Sequence, residues 1–457
     1  MKILLLNPPS EKIVIRDYCC GHTSKAKYCW PPIDLLVLSG ILAQNYDVCV
    51  LDSIINSDSY SESLKKILKI QPTLIISLTS AISLEDDMKF LKKIKARIKC
   101  QIFVIGDVAY FDPLYVMNKY KFIDGIIFDF TSTEILKFIE GKKDGLKDIV
   151  YRDNGKIIVC QKNNNNIFSY AIPRHELFPL KKYSLPYSRY SPMTAVLTTY
   201  GCPYHCTFCN SGNLGFKERD MKNLIEELEY IAKLGIKEIY FRDFSFTSNK
   251  ERVKEICRQI IRHNFKFSWS CDARVDNVDK KLLNLMKRAG CYLIFFGVES
   301  ANNEILKNVR KGTNNQLIKN IFNYCSKIGI QTLGSFIIGL PDDTKETIND
   351  TIKFSTKIGC DYASFNLFVL RYGSELQKMM MGKGVKRNIM ALDSSQEVMA
   401  TSNVPKFELL KLHKKALKKF YFRPNYIVKQ LFKISTTNQL KNFIKNGIQV
   451  LKKVLIE

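Results

Sequence analysis

The chain of 457 residues is 46% hydrophobic, which is enough for two or three domains with substantial cores. Its 14 cysteines are scattered along the chain, which excludes a small disulfide-rich scaffold and favours a reducing cytoplasm. No hydrophobic run approaches the length of a membrane span.

The positive charge has two interpretations. Lysine and arginine total 70 against 44 aspartate and glutamate residues, so the formal net charge is +26. Such an excess favours anionic partners, namely nucleic acid, lipid headgroups or phosphorylated substrates. It is also typical of a chain that is rich in lysine, asparagine and isoleucine throughout, as in the tract Asn163–Asn166, and then indicates no partner.

Residues 1–150 alternate short apolar runs with longer amphipathic segments. The predicted strands are Lys2–Leu6, Asp47–Leu51, Thr73–Leu78, Ile102–Ile105 and Gly125–Phe128. The predicted helices are Leu35–Gln44, Ser61–Ile70, Glu85–Arg97, Pro113–Lys119 and Thr133–Ile139. This alternation predicts a parallel sheet covered on both faces, in a flavodoxin-like, doubly wound domain of Rossmann type.

Small polar residues follow the predicted strands of this domain. They include Asn7, Thr79 with Ser80, Gly106 and Asp129. In an open α/β sheet the ligand crevice lies beyond the carboxyl ends of the strands, so we expect these residues at a binding site.

Residues 151–190 are predicted to link two domains. Asp153-Asn154-Gly155 lies between two apolar runs and predicts a β-hairpin. An irregular run with several prolines follows, which is typical of a linker with limited freedom. The apolar segment Met193–Thr199 then predicts the first strand of the next domain.

Three thiols lie on one short loop after that strand. Cys202, Cys206 and Cys209 have the spacing CxxxCxxC, and Phe208 directly precedes the third. Three thiolates can bind three irons of a cubic 4Fe-4S cluster and leave the fourth iron open to a substrate. The alternatives are a zinc knuckle, with His205 as a further ligand, and three unliganded thiols. Zinc sites usually have paired ligand sets and no second CxxC follows nearby, so the spacing favours iron–sulfur.

The cysteine loop resembles the signature of the radical S-adenosylmethionine (SAM) superfamily. In that superfamily the amino and carboxylate groups of SAM chelate the open iron, and an electron from the cluster releases a 5′-deoxyadenosyl radical. The resemblance implies that Cys202, Cys206 and Cys209 bind iron and that Phe208 lies near the adenine.

Residues 191–372 contain six strand–helix repeats. The strands are predicted at Ala195–Thr199, Glu238–Phe241, Phe267–Ser270, Tyr292–Phe296, Thr332–Ile338 and Ala363–Val369. Six parallel repeats predict an open (β/α)6 barrel of TIM type, which the radical SAM resemblance also implies. An incomplete barrel leaves a lateral opening for a large substrate.

Polar residues at the carboxyl ends of these strands are candidates for SAM contacts. Asp243 can accept a hydrogen bond from the amino or ribose groups, and Arg274 can pair with the carboxylate. Glu299 and Ser300 are similar to family residues that contact the ribose and methionine portions. The glycine-spaced segment that includes Gly339 is similar to one beside the adenine. No general base is assigned, because the cofactors carry the chemistry in such enzymes.

The first domain resembles the cobalamin-binding domain of the class B radical SAM enzymes. Segment Tyr28–Leu35 is similar to that family's entry into its first helix. The resemblance implies that Thr79, Ser80, Gly106 and Asp129 lie beside a bound cobalamin. The DxHxxG loop that supplies a histidine to cobalt is absent, since none of the five histidines has an aspartate two residues before it. Some members bind cobalamin without that ligand.

Two further features leave alternatives open. Cys19, Cys20 and Cys29 can ligate a second cluster, as in methylthiotransferases that modify transfer RNA, or can be buried residues without that role. Residues 373–457 predict a basic helical region. Its helix from Phe407 places Leu409, Leu412, Ala416 and Phe420 on one face, either on an anionic membrane surface or against the barrel.

The resemblance implies a cobalamin-dependent radical SAM methyltransferase that acts on an unactivated carbon of a small or lipid-like substrate. The alternatives are a related cyclase or rearrangement enzyme, an RNA-modifying enzyme, and a non-catalytic cluster protein. A low-potential donor such as flavodoxin or ferredoxin is the expected electron source. Nucleic acid is not an expected partner, because the basic tail lacks recognisable RNA-binding motifs. The expected location is the cytoplasm, and peripheral membrane contact belongs to the alternative in which the basic helix lies on an anionic membrane surface.

Overall fold

The computed structural model describes residues 1–26, 28–382, 393–394, 403–434 and 436–455. Contacts divide the chain into two compact units. The first unit comprises Met1–Ser24, Cys29–Tyr183 and Lys217–Leu234. The second comprises Lys25–Tyr28, Ser184–Phe216 and Gly235–Glu457.

The first unit contains the flavodoxin-like sheet. The strands of this unit are β1 (Lys2–Asn7), β2 (Val14–Asp17), β3 (Cys20–Thr23), β4 (Asp47–Asp52), β5 (Leu74–Leu78), β6 (Gln101–Ile105), β7 (Gly125–Ile127), β8 (Ile149–Asp153), β9 (Lys156–Val159) and β10 (Ile167–Phe168). Its helices are α1 (Ile33–Leu42), α2 (Ser53–Asn56), α3 (Tyr60–Ile70), α4 (Leu84–Lys95), α5 (Asp107–Phe111), α6 (Pro113–Lys119), α7 (Glu134–Ile139) and α8 (Met221–Lys233).

The order of the strands confirms the predicted doubly wound topology. The sheet runs β4-β1-β5-β6-β7-β8-β9, and its first five strands are parallel. In chain order those five strands have the arrangement 2-1-3-4-5, which is that of flavodoxin. β1 and β5 are almost wholly apolar and buried, as expected for strands that helices cover on both faces.

The predicted hairpin is present and extends this sheet. β8 and β9 pair antiparallel around Asn154 and Gly155, whose φ angles are +45° and +81°. Positive φ at both central residues is typical of a type I′ turn. β8 also pairs antiparallel with β7. The start of the predicted linker therefore belongs to the first unit, because β8 completes hydrogen bonds along the edge of β7.

The second unit contains a six-stranded parallel sheet. The six strands of this sheet are β11 (Met193–Val196), β14 (Glu238–Phe241), β15 (Ser268–Ala273), β16 (Cys291–Glu299), β17 (Gln331–Ile338) and β18 (Tyr362–Leu367). Outside this sheet, β12 (Thr199–Gly201) pairs with β13 (Phe216–Arg219), which begins in this unit and continues in the first. The helices of the second unit are α9 (Lys250–Arg262), α10 (Lys280–Arg288), α11 (Asn303–Asn308), α12 (Asn315–Ile328), α13 (Lys345–Lys357), α14 (Glu375–Gly382), α15 (Lys406–Tyr421), α16 (Pro424–Phe432) and α17 (Thr437–Leu455).

The sheet is singly wound, as predicted for an open (β/α)6 barrel. Its order, β11-β14-β15-β16-β17-β18, follows the chain, and every neighbouring pair is parallel. Because each crossover advances one strand in the same direction, the helices lie on one side, as in a TIM barrel. The predicted first strand is broken, since Ala195–Thr199 is divided between β11 and β12. The segment of α8, predicted as part of the barrel, has most of its contacts in the first unit.

Side chains make hydrogen bonds with the backbone groups along the free edge of β18. The Tyr421 hydroxyl donates to the Ala363 carbonyl oxygen at 2.6 Å and accepts from its N–H at 3.2 Å. The Phe365 carbonyl oxygen accepts from Lys25 Nζ at 2.6 Å and lies 3.2 Å from His413 Nε2. An unpaired edge would expose backbone groups that attract other strands, so these side chains take the place of a seventh strand.

The packing of the C-terminal helices distinguishes the two positions considered for the apolar face of α15. Leu409, Leu412, Ala416 and Phe420 of α15 are all buried, and the Phe420 ring lies 6.3 Å from that of Phe365. The apolar face of α15 therefore packs within the second unit, which agrees with the alternative in which it lies against the barrel. α16 instead exposes apolar side chains, with Phe432 87% exposed.

Among the described residues, no helix is both long enough and apolar enough to cross a membrane.

We expect Tyr421→Phe to destabilise the second unit by about 1–3 kcal/mol, because it leaves two buried backbone groups without a partner. Differential scanning fluorimetry measures this as a lowered thermal midpoint. Tyr324→Phe is the matched control, since the Tyr324 hydroxyl accepts an exposed bond from Asn284. Equal midpoints for the two variants would show that the edge of β18 does not need this cap.

Candidate functional site

The cysteine loop begins at Gly201, where the backbone passes close to the backbone of Gly215. Gly201 has a φ of +73°, and a Cβ at this position would lie 1.7 Å from the Gly215 carbonyl oxygen. That oxygen accepts from Cys202 N–H at 3.2 Å. Only glycine fits this approach, so the sequence position just before the first thiol is dictated by geometry.

Asp243 fixes the segment that leads into the loop. It is wholly buried after β14, and its carboxylate accepts from Thr198 N–H at 2.7 Å and Thr199 N–H at 3.0 Å. The Thr198 hydroxyl also donates to it. These bonds interrupt the strand pairing after β11 and direct the chain through β12 into the cysteine loop. The carboxylate predicted to accept a bond from SAM is therefore engaged with the backbone, and burial raises the pKa of Asp243.

The three thiols of the loop differ in exposure. Cys206 is buried, and Cys202 and Cys209 are half-buried, as is Phe208. Burial raises the pKa of Cys202 to about 11, with further contributions from the other two thiols. Burial also raises the pKa of Cys206, while Lys311 and Arg274 oppose the shift. The thiols lie within electrostatic range of one another, and deprotonating them requires positive charge, which bound metal supplies.

Arg274 supports the loop through its side chain. Its guanidinium lies 4.1 Å from the centre of the Tyr204 ring, and its Nη1 lies 3.5 Å from Cys206 Sγ. Its Nε and Nη2 make a bidentate pair with Asp276 at 3.0 and 2.7 Å. Nη2 also donates to the Lys311 carbonyl oxygen. The predicted partner of the SAM carboxylate is therefore already paired with a protein carboxylate.

Glu299 lies at an irregularity in β16. Its φ is +65°, and the register with β17 shifts between Gly297 and Glu299. Bulges of this kind re-aim a side chain and are frequent beside active sites. The buried Glu299 carboxylate accepts from Lys311 Nζ at 2.6 Å. Burial lowers the pKa of Lys311, and the Glu299 carboxylate with Cys206 outweighs this effect, so the pKa lies above its usual value.

Lys311 is the residue of this site that the sequence did not reveal. It is buried, it pairs with Glu299, and it interacts with Cys206. Nothing in its local sequence separates it from the many exposed lysines. The pairing arises from tertiary structure, because Glu299 ends β16 before helix α11 and Lys311 follows that helix.

The remaining predicted SAM residues support the backbone at strand ends. Ser300 is buried, and its hydroxyl accepts from Asn302 N–H at 3.1 Å. Gly339 has a φ of +89°, and its N–H donates to Asp343 Oδ2 at 3.1 Å. Leu340 N–H donates to the same oxygen at 2.9 Å, and burial raises the pKa of Asp343 to about 6. The sheet brings all these residues to its carboxyl edge, as predicted from their positions after the strands.

In the first unit, the predicted cobalamin contacts are covered or engaged. A Cβ on Gly106 would lie 2.1 Å from the Thr79 carbonyl oxygen, and one on Gly21 of the β2–β3 hairpin would lie 2.4 Å from Ser80. Gly106 thus lets two strand ends meet, and the hairpin covers Ser80. Asp129 accepts from Thr131 and pairs with Lys217, which is another residue of the first unit. The Thr79, Ser80 and Asp129 side chains make hydrogen bonds within the protein, and the assignment of these residues and Gly106 to a corrin stays a prediction.

A buried charge occupies the point where the strand order reverses. Arg16 of β2 makes a bidentate pair with Asp87, at 2.6 and 3.1 Å, and both side chains are wholly buried. Arg16 Nη1 also donates to Asn7 Oδ1 at 2.9 Å, at the carboxyl end of β1. The crevice expected between β1 and β5 therefore contains a side-chain network that the sequence did not predict.

Of the other cysteines near the N-terminus, Cys19 and Cys20 have their sulfur atoms 3.7 Å apart, and Cys29 Sγ lies 3.4 Å from the Trp30 carbonyl oxygen. Cys19 and Cys29 are buried, and Cys20 is half-buried. Within the described ranges, no group of three or more His, Cys, Asp or Glu side chains surrounds a single metal-ion position. In a cubane, three thiolates bind three different irons, and the assignment of Cys202, Cys206 and Cys209 as ligands stays a prediction.

Comparison with known proteins identifies the family. The family model of the radical SAM superfamily matches residues 196–355. The chain is 31% identical over 452 residues to an uncharacterized methyltransferase, PH0819, of Pyrococcus horikoshii, covering 94% of this chain and 95% of that protein. The chain belongs to the radical SAM superfamily. This radical SAM enzyme is also 25% identical over 399 residues to the anaerobic magnesium-protoporphyrin IX monomethyl ester cyclase of Rubrivivax gelatinosus, covering 80% of this chain and 68% of that one.

Two solved structures share the fold of this radical SAM enzyme. TsrM of Kitasatospora setae, a radical SAM methyltransferase, has a TM-score of 0.71 at 13% identity, covering 100% of this chain and 99% of that one. OxsB, a cobalamin-dependent radical SAM enzyme, has a TM-score of 0.70 at 18% identity, covering 98% and 72%. The architecture is therefore that of class B, as the sequence predicted.

We expect Asp243→Ala to reduce the iron and sulfide content of protein purified without oxygen to less than about half of the wild-type value. The reason is that Thr198 and Thr199 lose a buried acceptor, which costs about 1–3 kcal/mol and releases the entry to the loop. Iron and sulfide assays with the absorbance spectrum measure the effect. Asp350→Ala, an exposed carboxylate on α13, is the control, and equal cluster contents in both variants would contradict the role of Asp243.

Lys311→Met should destabilise the second unit by about 3–5 kcal/mol, because the Glu299 carboxylate is left buried without its partner. The double variant Glu299→Gln with Lys311→Met should recover much of that loss. Thermal midpoints of the wild type, both single variants and the double variant complete the cycle. Lys353→Met removes an exposed pair and serves as control; additive effects at Glu299 and Lys311 would show that the two do not interact.

Proposed function

We propose that this radical SAM enzyme cleaves S-adenosylmethionine at a 4Fe-4S cluster and transfers a methyl group to an unactivated carbon. The observation that carries the proposal is the cysteine loop at the carboxyl edge of the six-stranded sheet, which is where barrel enzymes place their active sites. A 4Fe-4S cluster held by Cys202, Cys206 and Cys209 would supply the electron for reductive cleavage of SAM.

The residues of the chain then have positioning and charge-balancing roles. Cys202, Cys206 and Cys209 fit a cluster because three thiols lie on one loop within electrostatic range. Arg274 and Lys311 place two positive charges beside Cys206, which offsets the negative charge of thiolates in a buried site.

Phe208, Glu299, Ser300 and Gly339 are proposed to frame the bound SAM, because they belong to the cluster loop or follow strands at the same edge. Asp243 is proposed as a positioning residue that holds the loop. Arg274 is proposed to act on the loop through Tyr204 and Cys206, in place of a direct pair with the SAM carboxylate.

Cobalamin is proposed as a second cofactor on the basis of the fold. TsrM and OxsB share the architecture and are both described with cobalamin bound. The first unit has the doubly wound sheet, but the Thr79, Ser80 and Asp129 side chains are covered or engaged within the protein. We therefore assign no side chain to the corrin.

Methyl transfer is favoured over the other chemistries by the relatives. The Pyrococcus horikoshii protein, which matches nearly the whole chain, is named a methyltransferase. The second candidate is oxidative cyclisation, which the Rubrivivax gelatinosus cyclase favours at lower identity. A small or lipid-like substrate, an electron donor of the flavodoxin or ferredoxin type and a cytoplasmic location stay predictions. Peripheral membrane contact is a further proposal, and the exposed Phe432 of α16 supports it.

We expect the protein purified without oxygen to convert SAM to 5′-deoxyadenosine and methionine when a strong reductant is added. Cys206→Ala should lower the rate by more than about a hundredfold, because the cluster loses one of its three thiolate ligands. Liquid chromatography with mass detection measures both products. Cys49→Ser, outside the loop, is the matched control and should retain wild-type turnover.

SAM with a labelled methyl group separates the two candidate chemistries. Label in a new organic product, or in the corrin fraction, supports methyl transfer. An oxidised product of the substrate that carries no label, formed while all label is left in methionine, supports cyclisation. Intact SAM in the presence of a fully loaded cluster and reductant would contradict the proposal as a whole.

A further inference from the structure

A cavity of about 390 Å³ opens beside the free edge of β18 in the second unit. Its walls come from the amino ends of β17 and β18, from Lys25, Ala26 and Tyr28, and from helices α15, α16 and α17. A volume of this size lies in the range of small-molecule sites. The cysteine loop follows β11 at the opposite, carboxyl edge of the sheet, so this cavity is a separate site.

Aromatic side chains dominate the wall. The rings belong to Tyr28, Tyr187, Tyr362, Tyr421, Phe422 and Tyr426. Tyr187 and Tyr362 have ring centres 4.2 Å apart, and Tyr421 and Tyr426 have ring centres 5.6 Å apart at nearly a right angle. Rings in such arrangements offer faces and edges to another flat ring.

The charged groups of the wall already have partners. Lys25 Nζ donates to the Ser364 hydroxyl, the Phe365 carbonyl oxygen and the Asn366 side chain, at 3.0, 2.6 and 2.7 Å. Lys433 pairs with the buried Asp361. Because both ammonium groups are neutralised or fully bonded, the wall favours a ligand without charge.

One polar atom of the wall has no partner. Gln331 is only 5% exposed, and its Oε1 accepts no hydrogen bond in the part of the chain that the structure describes. Its Nε2 reaches the Tyr362 hydroxyl at the long distance of 3.5 Å. A buried acceptor that remains unbonded costs about 1–3 kcal/mol, so a leucine here would stabilise the free protein. The unmet acceptor in a mostly apolar cavity, whose charged groups are already paired, points to a ligand that donates to it.

We propose that this cavity binds a neutral molecule with a flat aromatic ring and one hydrogen-bond donor. The ring lies among the tyrosines, and its O–H or N–H donates to Gln331 Oε1. The site goes beyond the proposed function, because none of its residues belongs to the cluster loop or to the carboxyl ends of the strands.

The test measures binding of 2-naphthol and 2-methoxynaphthalene to the full chain by calorimetry, without SAM. The two probes share a ring, and only 2-naphthol can donate. Gln331→Leu should weaken 2-naphthol binding about five- to tenfold and leave 2-methoxynaphthalene within about twofold. Its thermal midpoint should equal or exceed that of the wild type, which shows that the variant folds. Gln316→Leu, an exposed glutamine on α12, is the control.

A second variant fills the cavity from its mouth. Gly447 lines the cavity on α17, and a side chain added there meets nothing within 4 Å. Gly447→Trp should abolish binding of both probes with an unchanged thermal midpoint. Three results would overturn the proposal: neither probe binds the wild type, Gln331→Leu weakens both probes equally, or 2-naphthalenesulfonate binds more tightly than 2-naphthol. Because SAM is absent, none of these results bears on SAM cleavage.

Discussion

The bond between Asp243 and the backbone of Thr198 and Thr199 is the constraint on which the active-site region depends. A wholly buried carboxylate is stable only if its oxygens accept several hydrogen bonds, and here the donors are the N–H groups just ahead of the cysteine loop. Meeting that requirement ends β11 early and turns the chain into the loop. The close approach of Gly201 to Gly215 then closes the loop on itself. The position of the thiols thus follows from one acid and one glycine.

Around the loop, buried charges are organised in pairs. Glu299 pairs with Lys311, and Arg274 pairs with Asp276, so every charge beside Cys206 has a partner of opposite sign. A pair of this kind adds little to stability compared with apolar residues of similar volume. It does provide cations at a fixed distance from thiols, which must lose protons when they bind metal. The irregular β16 and the positive φ of Glu299 are consistent with geometry kept for function.

The fold could be predicted from the sequence in both units, because strand periodicity and the alternation with helices are local signals. Strand order, the hairpin at Asn154-Gly155 and the six repeats of the barrel all followed from that pattern. Side-chain roles were harder. Because Asp243 and Arg274 follow strands, the sequence correctly predicted that they lie at the carboxyl edge of the sheet. It could not show that Asp243 is bound to Thr198 or that Arg274 is bound to Asp276. Lys311 and Arg16 escaped detection because each partner lies in another segment of the chain.

The free edge of β18 has a consequence for how this region can change over evolution. A neighbouring strand would restrict the backbone of every residue along it, whereas side-chain caps restrict only the few positions that supply them. Tyr421, His413 and Lys25 are such positions. The rest of the C-terminal helices can therefore diverge in sequence and reshape the space beside the barrel without exposing the sheet.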